Sequence, residues 1–136
     1  MRLIHTMLRV RDLEQAIKFY TEVFDMQLLR REDFPGPRFS LGFVGYGPER
    51  DHTVIELTHN WDTDSYEMGE AYGHVAIQCD DLQATCARVR ASEGKLVKEP
   101  RKMEGGPVMA FASDPDGYMI ELLGPDVFDQ LEKGFG

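Results

Sequence analysis

Two histidines and two glutamates in this sequence stand where apolar residues are expected. His5 lies in LIHTMLRVRDL and His74 in YGHVAIQCDDL, and in both stretches the histidine is followed seven residues later by Asp and then Leu. Glu56 stands between Ile55 and Leu57, and Glu121 between Ile120 and Leu122. A lone strand histidine reads most simply as a hydrogen-bonded core residue. An ionised carboxylate buried without a partner costs several kcal/mol, so each glutamate must be paired, neutralised, solvated or bound to metal. Two His and two Glu at matching places form a constellation, for which a common metal site is the economical reading. Two imidazoles and two carboxylates suit a borderline divalent ion such as Ni, Co, Zn or Fe and match Ca or Mg poorly. A structural zinc site would more often use cysteines, and neither Cys79 nor Cys86 has the spacing. A six-coordinate ion on four such ligands keeps two positions for a substrate with two adjacent oxygens.

The elements that must position these residues are written twice. HTMLRVRDLEQAIKFYTEVFDMQLL lies over HVAIQCDDLQATCARVRASEGKLVK without gaps at an offset of 69 residues, pairing His5 with His74, Asp12 with Asp81 and Leu13 with Leu82. Asp25 falls on Gly94, where each helix should end on a left-handed residue. TVIELT then lies over YMIELL at an offset of 65, pairing Glu56 with Glu121. Such a repeat predicts one supersecondary unit used twice.

Periodicity supplies the unit. Residues 3–9 alternate, with Leu3, His5, Met7 and Arg9 on one face of a strand. Asp12 caps a helix whose apolar stripe is Leu13, Ala16, Ile17, Tyr20, Val23 and Phe24, and Asp12 with Gln15 resembles a capping box. Strands are predicted near 26–32, 39–45 and 53–59, separated by turn formers in FPGPR and GYGPERD. The second copy gives a strand at 73–79, a helix at 82–92 and strands at 95–99, 107–113 and 117–123. SDPDGY makes the last turn, with Pro115 preset for its corner and Gly117 free to take positive φ. The fold class is α+β: paired βαβββ modules, about 1–62 and 70–124, in a single domain over 1–136. GPDVFDQLEKGFG closes the chain as a surface tail with a short helix.

Composition narrows the function. The 136 residues are 42% apolar, enough for a real core, and the net charge of −9 disfavours nucleic acid or an anionic membrane as partner. No apolar run reaches the roughly 20 residues of a membrane span, and a strand beginning so close to Met1 leaves no room for a signal peptide. A cytoplasmic location is expected. Two cysteines make no disulfide framework, so both are expected to be reduced packing residues. Arg9 shares the His5 strand face, roughly 13 Å along it, and Asn60 shares that of Glu56 if the strand extends so far. Lys98 and Lys102 flank EPRKMEGGP, a loop whose glycines would let it close over an anion. His52, His59 and Trp61 read as structural or peripheral.

HTMLRVRDLEQAIKFYTEVFDMQLLR, FVGYGPE, VIELTHNW, AYGHVAI and DPDGYMIELL together resemble the glyoxalase I, or lactoylglutathione lyase, family over nearly the whole chain. The resemblance implies the vicinal oxygen chelate fold, whose curved mixed sheets form a metal-binding cleft, and the metal ligands His5, Glu56, His74 and Glu121. It implies a homodimer in which one subunit gives the first His and Glu and its partner the second pair. A histidine at position 5 in a short chain is similar to the nickel- and cobalt-activated type, with Ni first, Co next and Zn as a further option. The implied reaction isomerises the methylglyoxal–glutathione hemithioacetal to S-D-lactoylglutathione. In it Glu121 acts as base, Glu56 as ligand or second base, and the metal holds developing cis-enediolate charge. Arg9 and Asn60 match contacts to glutathione; Lys98 and Lys102 would face its glycyl carboxylate. Glu70 stands where some members carry a basic glutathione contact, so that contact is missing or supplied elsewhere, and the poorly alignable 102–107 loop leaves the thiol open to trypanothione or another compound. Three other activities share the fold. Glu56 speaks against an extradiol dioxygenase and a methylmalonyl-CoA epimerase, and the full ligand set against a metal-free sequestering protein.

Overall fold

The computed structural model describes residues 1–133; the end of the expected tail, 134–136, lies outside the described residues. The chain forms two compact units, Met1–Glu67 and Met68 onward.

The first unit runs β1 (His5–Arg9), α1 (Leu13–Phe24), β2 (Gln27–Phe34), β3 (Phe39–Gly45) and β4 (Val54–Asn60). Its sheet has the order β1-β4-β3-β2, with β1 parallel to β4 and the other neighbours antiparallel. Asp12 caps α1, its Oδ1 accepting from the Gln15 amide at 3.1 Å, an interaction that contributes about 1 kcal/mol. Asp25 ends α1 at φ 56°, its amide donating to Tyr20 O, so the expected left-handed stop is present. The helix lies on one face of the sheet. Gly42 permits this close approach: a Cβ there would stand 3.1 Å from Ile17 Cδ1 and 3.3 Å from Leu13 Cδ1. Leu8, Val44 and Leu57 are buried on that side.

The second unit runs β5 (Val75–Gln78), α2 (Leu82–Arg90), β6 (Lys95–Lys102), β7 (Val108–Ser113), β8 (Met119–Leu123) and α3 (Val127–Glu132). Its sheet order, β5-β8-β7-β6, and its strand directions repeat those of the first unit. Asp81 caps α2 as Asp12 caps α1, accepting from the Ala84 amide at 3.0 Å. Ala110, Ala112, Ile120 and Leu122 are fully buried on the face where α2 packs. The tail helix is present as α3.

Several boundaries differ from the sequence reading. β1 begins at His5 and β5 is only four residues long, so His74 precedes its strand instead of lying within it. Gly94 has no positive φ; α2 stops at Arg90, and Ser92 Oγ, donating to Val89 O at 2.6 Å, closes its last turn without a left-handed residue. Two helix ends aligned in sequence are thus built differently. β6 continues to Lys102, past Pro100, so Lys98 and Lys102 are strand residues and the connection to β7 is 103–107. At the last turn Gly117 takes φ 96° as expected, with Asp114 Oδ1 accepting from the Asp116 and Tyr118 amides. Cys79 and Cys86 are free and buried, and burial raises the pKa of both thiols.

Candidate functional site

Each sheet has a face that its helix does not cover, and each such face carries one His–Glu pair. In the first unit, His5 lies opposite Val54 and Met7 opposite Glu56. Glu56 is therefore the diagonal neighbour of His5 on the same face, and His5 Nε2 stands 2.7 Å from Glu56 Oε2. In the second unit, Ala76 lies opposite Glu121, which sets His74 in the same diagonal place. His74 Nε2 to Glu121 Oε2 is 3.5 Å, beyond a hydrogen bond. The histidine side chains are 36% and 42% exposed and the glutamates 16% and 17%. The expectation of polar groups inside fully apolar strands therefore changes. The imidazoles are partly exposed and the carboxylates mostly covered, on sheet faces that the helices leave uncovered.

Strand pairing extends each pair into a row. Phe43 lies opposite Glu56 and Arg30 opposite Phe43; in the second unit Phe111 lies opposite Glu121 and Lys98 opposite Phe111. Each histidine meets the phenylalanine of its own row edge-to-face, with centroids 5.8 Å apart for His5 and Phe43 and 5.4 Å for His74 and Phe111. The cation ends the row over the ring, Arg30 Cζ at 3.8 Å and Lys98 Nζ at 5.8 Å. A bulge precedes each cation, between Leu28 and Arg30 and between Leu96 and Lys98. Phe43, Phe111 and Arg30 escaped the sequence reading. The signal was present, because an offset of 68 lays Arg30 on Lys98 and Phe43 on Phe111. It required a one-residue gap after the helix.

The remaining candidates divide. Arg9 lies opposite Thr58 on the His5 face, and Asn60 falls within β4, two residues beyond Thr58, so the first unit presents His5, Glu56, Arg9 and Asn60 on one face. Asn60 Nδ2 donates to Tyr66 OH at 3.0 Å. Lys98 shares the face of His74 and Glu121. Lys102 pairs with Val108, whose side chain alternates away from Phe111, so the register separates it from Lys98 and puts Arg101, opposite Met109, on the Phe111 side. Glu70 is exposed in a turn before β5. The histidines and tryptophan set aside earlier have structural contacts. His52 packs over Gly47, His59 Nδ1 is 3.3 Å from Val10 O, and Trp61 Nε1 donates to Ser40 Oγ at 2.8 Å beneath the Arg38 guanidinium.

The donor set fits a divalent cation. In both pairs an imidazole nitrogen and a carboxylate oxygen, ligand atoms suited to a borderline divalent ion, face each other, at 2.7 and 3.5 Å. Among the described residues no group of three or more His, Cys, Asp or Glu comes together that would hold a metal ion.

The model of the Glyoxalase/Bleomycin resistance protein/Dioxygenase superfamily matches residues 2–122. The chain belongs to this glyoxalase superfamily. A lactoylglutathione lyase of Neisseria meningitidis serogroup A is 55% identical over 124 residues, covering 90% of each chain. The trypanothione-dependent glyoxalase I of Leishmania major superposes with a TM-score of 0.83 at 42% identity, over 100% of this chain and 99% of its own. Glyoxalase I of Zea mays gives a TM-score of 0.85 at 44% identity over 90% of this chain, which spans 44% of the maize chain. The glyoxalase fold, seen among the described residues as two four-stranded mixed sheets with three helices, is the expected α+β architecture.

Proposed function

We propose that this chain is a metal-dependent lactoylglutathione lyase that isomerises the hemithioacetal of methylglyoxal and glutathione to S-D-lactoylglutathione. The observation that carries the reading is the duplicated His–Glu pair on open sheet faces, in a chain whose relatives bear that enzyme's name. His5, Glu56, His74 and Glu121 would hold the divalent cation, which when bound supplies Lewis acidity to the two vicinal oxygens of the substrate. Glu121 takes the proton from the hemithioacetal carbon and returns it to the adjacent former carbonyl carbon. Its looser contact with His74 supports this choice, whereas Glu56, held by His5 at 2.7 Å, suits a ligand. Arg9 and Asn60 bind the γ-glutamyl end of glutathione, and Lys98 faces its glycyl carboxylate; the register gives Lys102 no place beside it.

One His–Glu pair in each unit, together with the family resemblance, supports a homodimer in which one chain gives His5 and Glu56 and its partner gives His74 and Glu121. Nickel is the metal we assign, with cobalt next, from the histidine at position 5. No helix among the described residues is long and apolar enough to cross a membrane. That, with two free thiols, supports a cytoplasmic enzyme.

The test is thioester formation followed in the ultraviolet, using chelator-stripped protein given methylglyoxal, glutathione and Ni, Co or Zn in turn. Activity restored best by Ni or Co and lost in Glu121→Gln is the expected result. No thioester with any metal overturns the reading.

A further inference from the structure

The first row contains more than a donor pair needs. Phe43 lies on the face that α1 leaves open, yet it is 3% exposed. Its cover is Arg30, whose Cζ stands 3.8 Å over the ring, and His5, packed edge-to-face on it. Arg30 is itself fixed. Nε donates to Glu49 Oε1 at 2.6 Å and Nη2 to Glu49 Oε2 at 3.3 Å, while Nη1 meets Glu32. The planar guanidinium therefore has both its position and its tilt determined.

Glu49 sits in the β3–β4 connection, and that loop is pinned. Arg2 Nη2 donates to Glu49 O at 2.6 Å, Thr53 Oγ1 donates to Leu3 O at 2.7 Å, and the Asp51 and His52 amides both reach Pro48 O at 3.0 Å. An imidazole turns about a soft torsion, and a ligand that must present one nitrogen needs neighbours that fix its plane. His5 has one such neighbour in Glu56 and a second in Phe43.

We propose that Arg30 is a positioning residue of the first half-site: clamped by Glu49, it holds Phe43 against His5 and so sets the plane in which Nε2 meets the cation. The inference rests on the metal-site reading of His5. Arg30 acts through Phe43 and His5, and a ring of this kind held by a carboxylate-oriented arginine is absent from the second row, where Lys98 stands 5.8 Å from Phe111.

The experiment titrates Ni²⁺ calorimetrically into chelator-stripped wild type, Arg30→Met, Arg30→Lys, Glu49→Gln and, as control, Arg31→Met. Arg31 makes a surface ion pair with Glu14 and covers no ring in the row. Long-range proton–nitrogen spectra of the histidine rings are recorded on the same metal-free samples. Arg30→Met is expected to weaken Ni²⁺ binding on the order of tenfold and to alter the His5 ring signals while those of His74 stay in place. Glu49→Gln acts less strongly in the same direction, Arg30→Lys restores part of the loss, and Arg31→Met changes neither readout. Nickel affinities of Arg30→Met and Glu49→Gln within about twofold of wild type, with the His5 signals unmoved, overturn the proposal. Glu49→Gln decides alone if Arg30→Met does not fold. If His5→Ala leaves nickel binding unchanged, the metal-site reading fails instead, and the metal-free ring signals still decide whether Arg30 orders His5.

Discussion

The His5–Glu56 and His74–Glu121 pairs are set by the same strand register on two sheets of the same order, yet their surroundings differ. In the first unit the two side chains are 2.7 Å apart, Phe43 is buried and its cation is clamped; in the second they are 3.5 Å apart, Phe111 is half-buried and Lys98 stands off its ring. The source of the difference lies in one connection. Phe43 and Phe111 stand 68 residues apart but Glu56 and Glu121 only 65, so the first unit has three extra residues between β3 and β4. Those residues make room for Glu49. The corresponding turn in the second unit, 114–118, is closed tightly by Asp114, whose Oδ1 accepts from the Asp116 and Tyr118 amides, and by Gly117 at positive φ. The two units share one frame, and the longer loop adds the Glu49–Arg30 clamp to the first. On the proposed reading, the clamped half holds the ligand set and the carboxylate farther from its histidine carries the proton.

If that division is right, substituting the two glutamates should have unequal consequences. Glu121→Gln should lower kcat by about 10²–10⁴-fold, the range for a missing general base, while metal-saturated Glu56→Gln should lose less and show its defect in nickel affinity. Equal losses in kcat, measured with saturating metal, would erase the distinction between the halves.

Sharing of the halves between chains is read by complementation. Separately inactive His5→Ala and His74→Ala chains, unfolded together and reassembled, should regain roughly a quarter of wild-type activity, since half of the dimers are mixed and each mixed dimer has one intact site. A site made within one chain would stay dead in the mixture.

The two frames should be equal in stability where the two rows are not. Leu57 and Leu122 are both fully buried at matched places on the helix-covered faces, so each change to Ala should cost about 2–5 kcal/mol in denaturant unfolding. A large difference would show that the units are packed less alike than their registers.

The helix stops give the smallest effects. Asp12→Ala and Asp81→Ala should each cost about 1 kcal/mol, whereas Asp25→Gly should stabilise by some tenths of a kcal/mol, because Asp25 holds φ 56°. Gly94→Ala, at a residue without positive φ, should be tolerated.

The sequence by itself determined the repeat, the order of elements, both capping aspartates and the two matched His–Glu pairs. The reason is local: helix periodicity, strand alternation and capping act within a few residues, and Glu between two large aliphatics is conspicuous wherever it falls. Tertiary structure decided what depends on pairing across strands. It put His74 ahead of its strand, carried β6 through Pro100 to separate Lys102 from Lys98, and ended α2 on Ser92 instead of a left-handed glycine. It also assembled Glu49, Arg30, Phe43 and His5 into one row. Those four come from a loop and three strands spread over 45 positions of sequence, and only the register of β1, β2, β3 and β4 brings them side by side. Register is a property of the whole sheet, chosen by which face the helix buries and how the bulge at Leu28 is taken up.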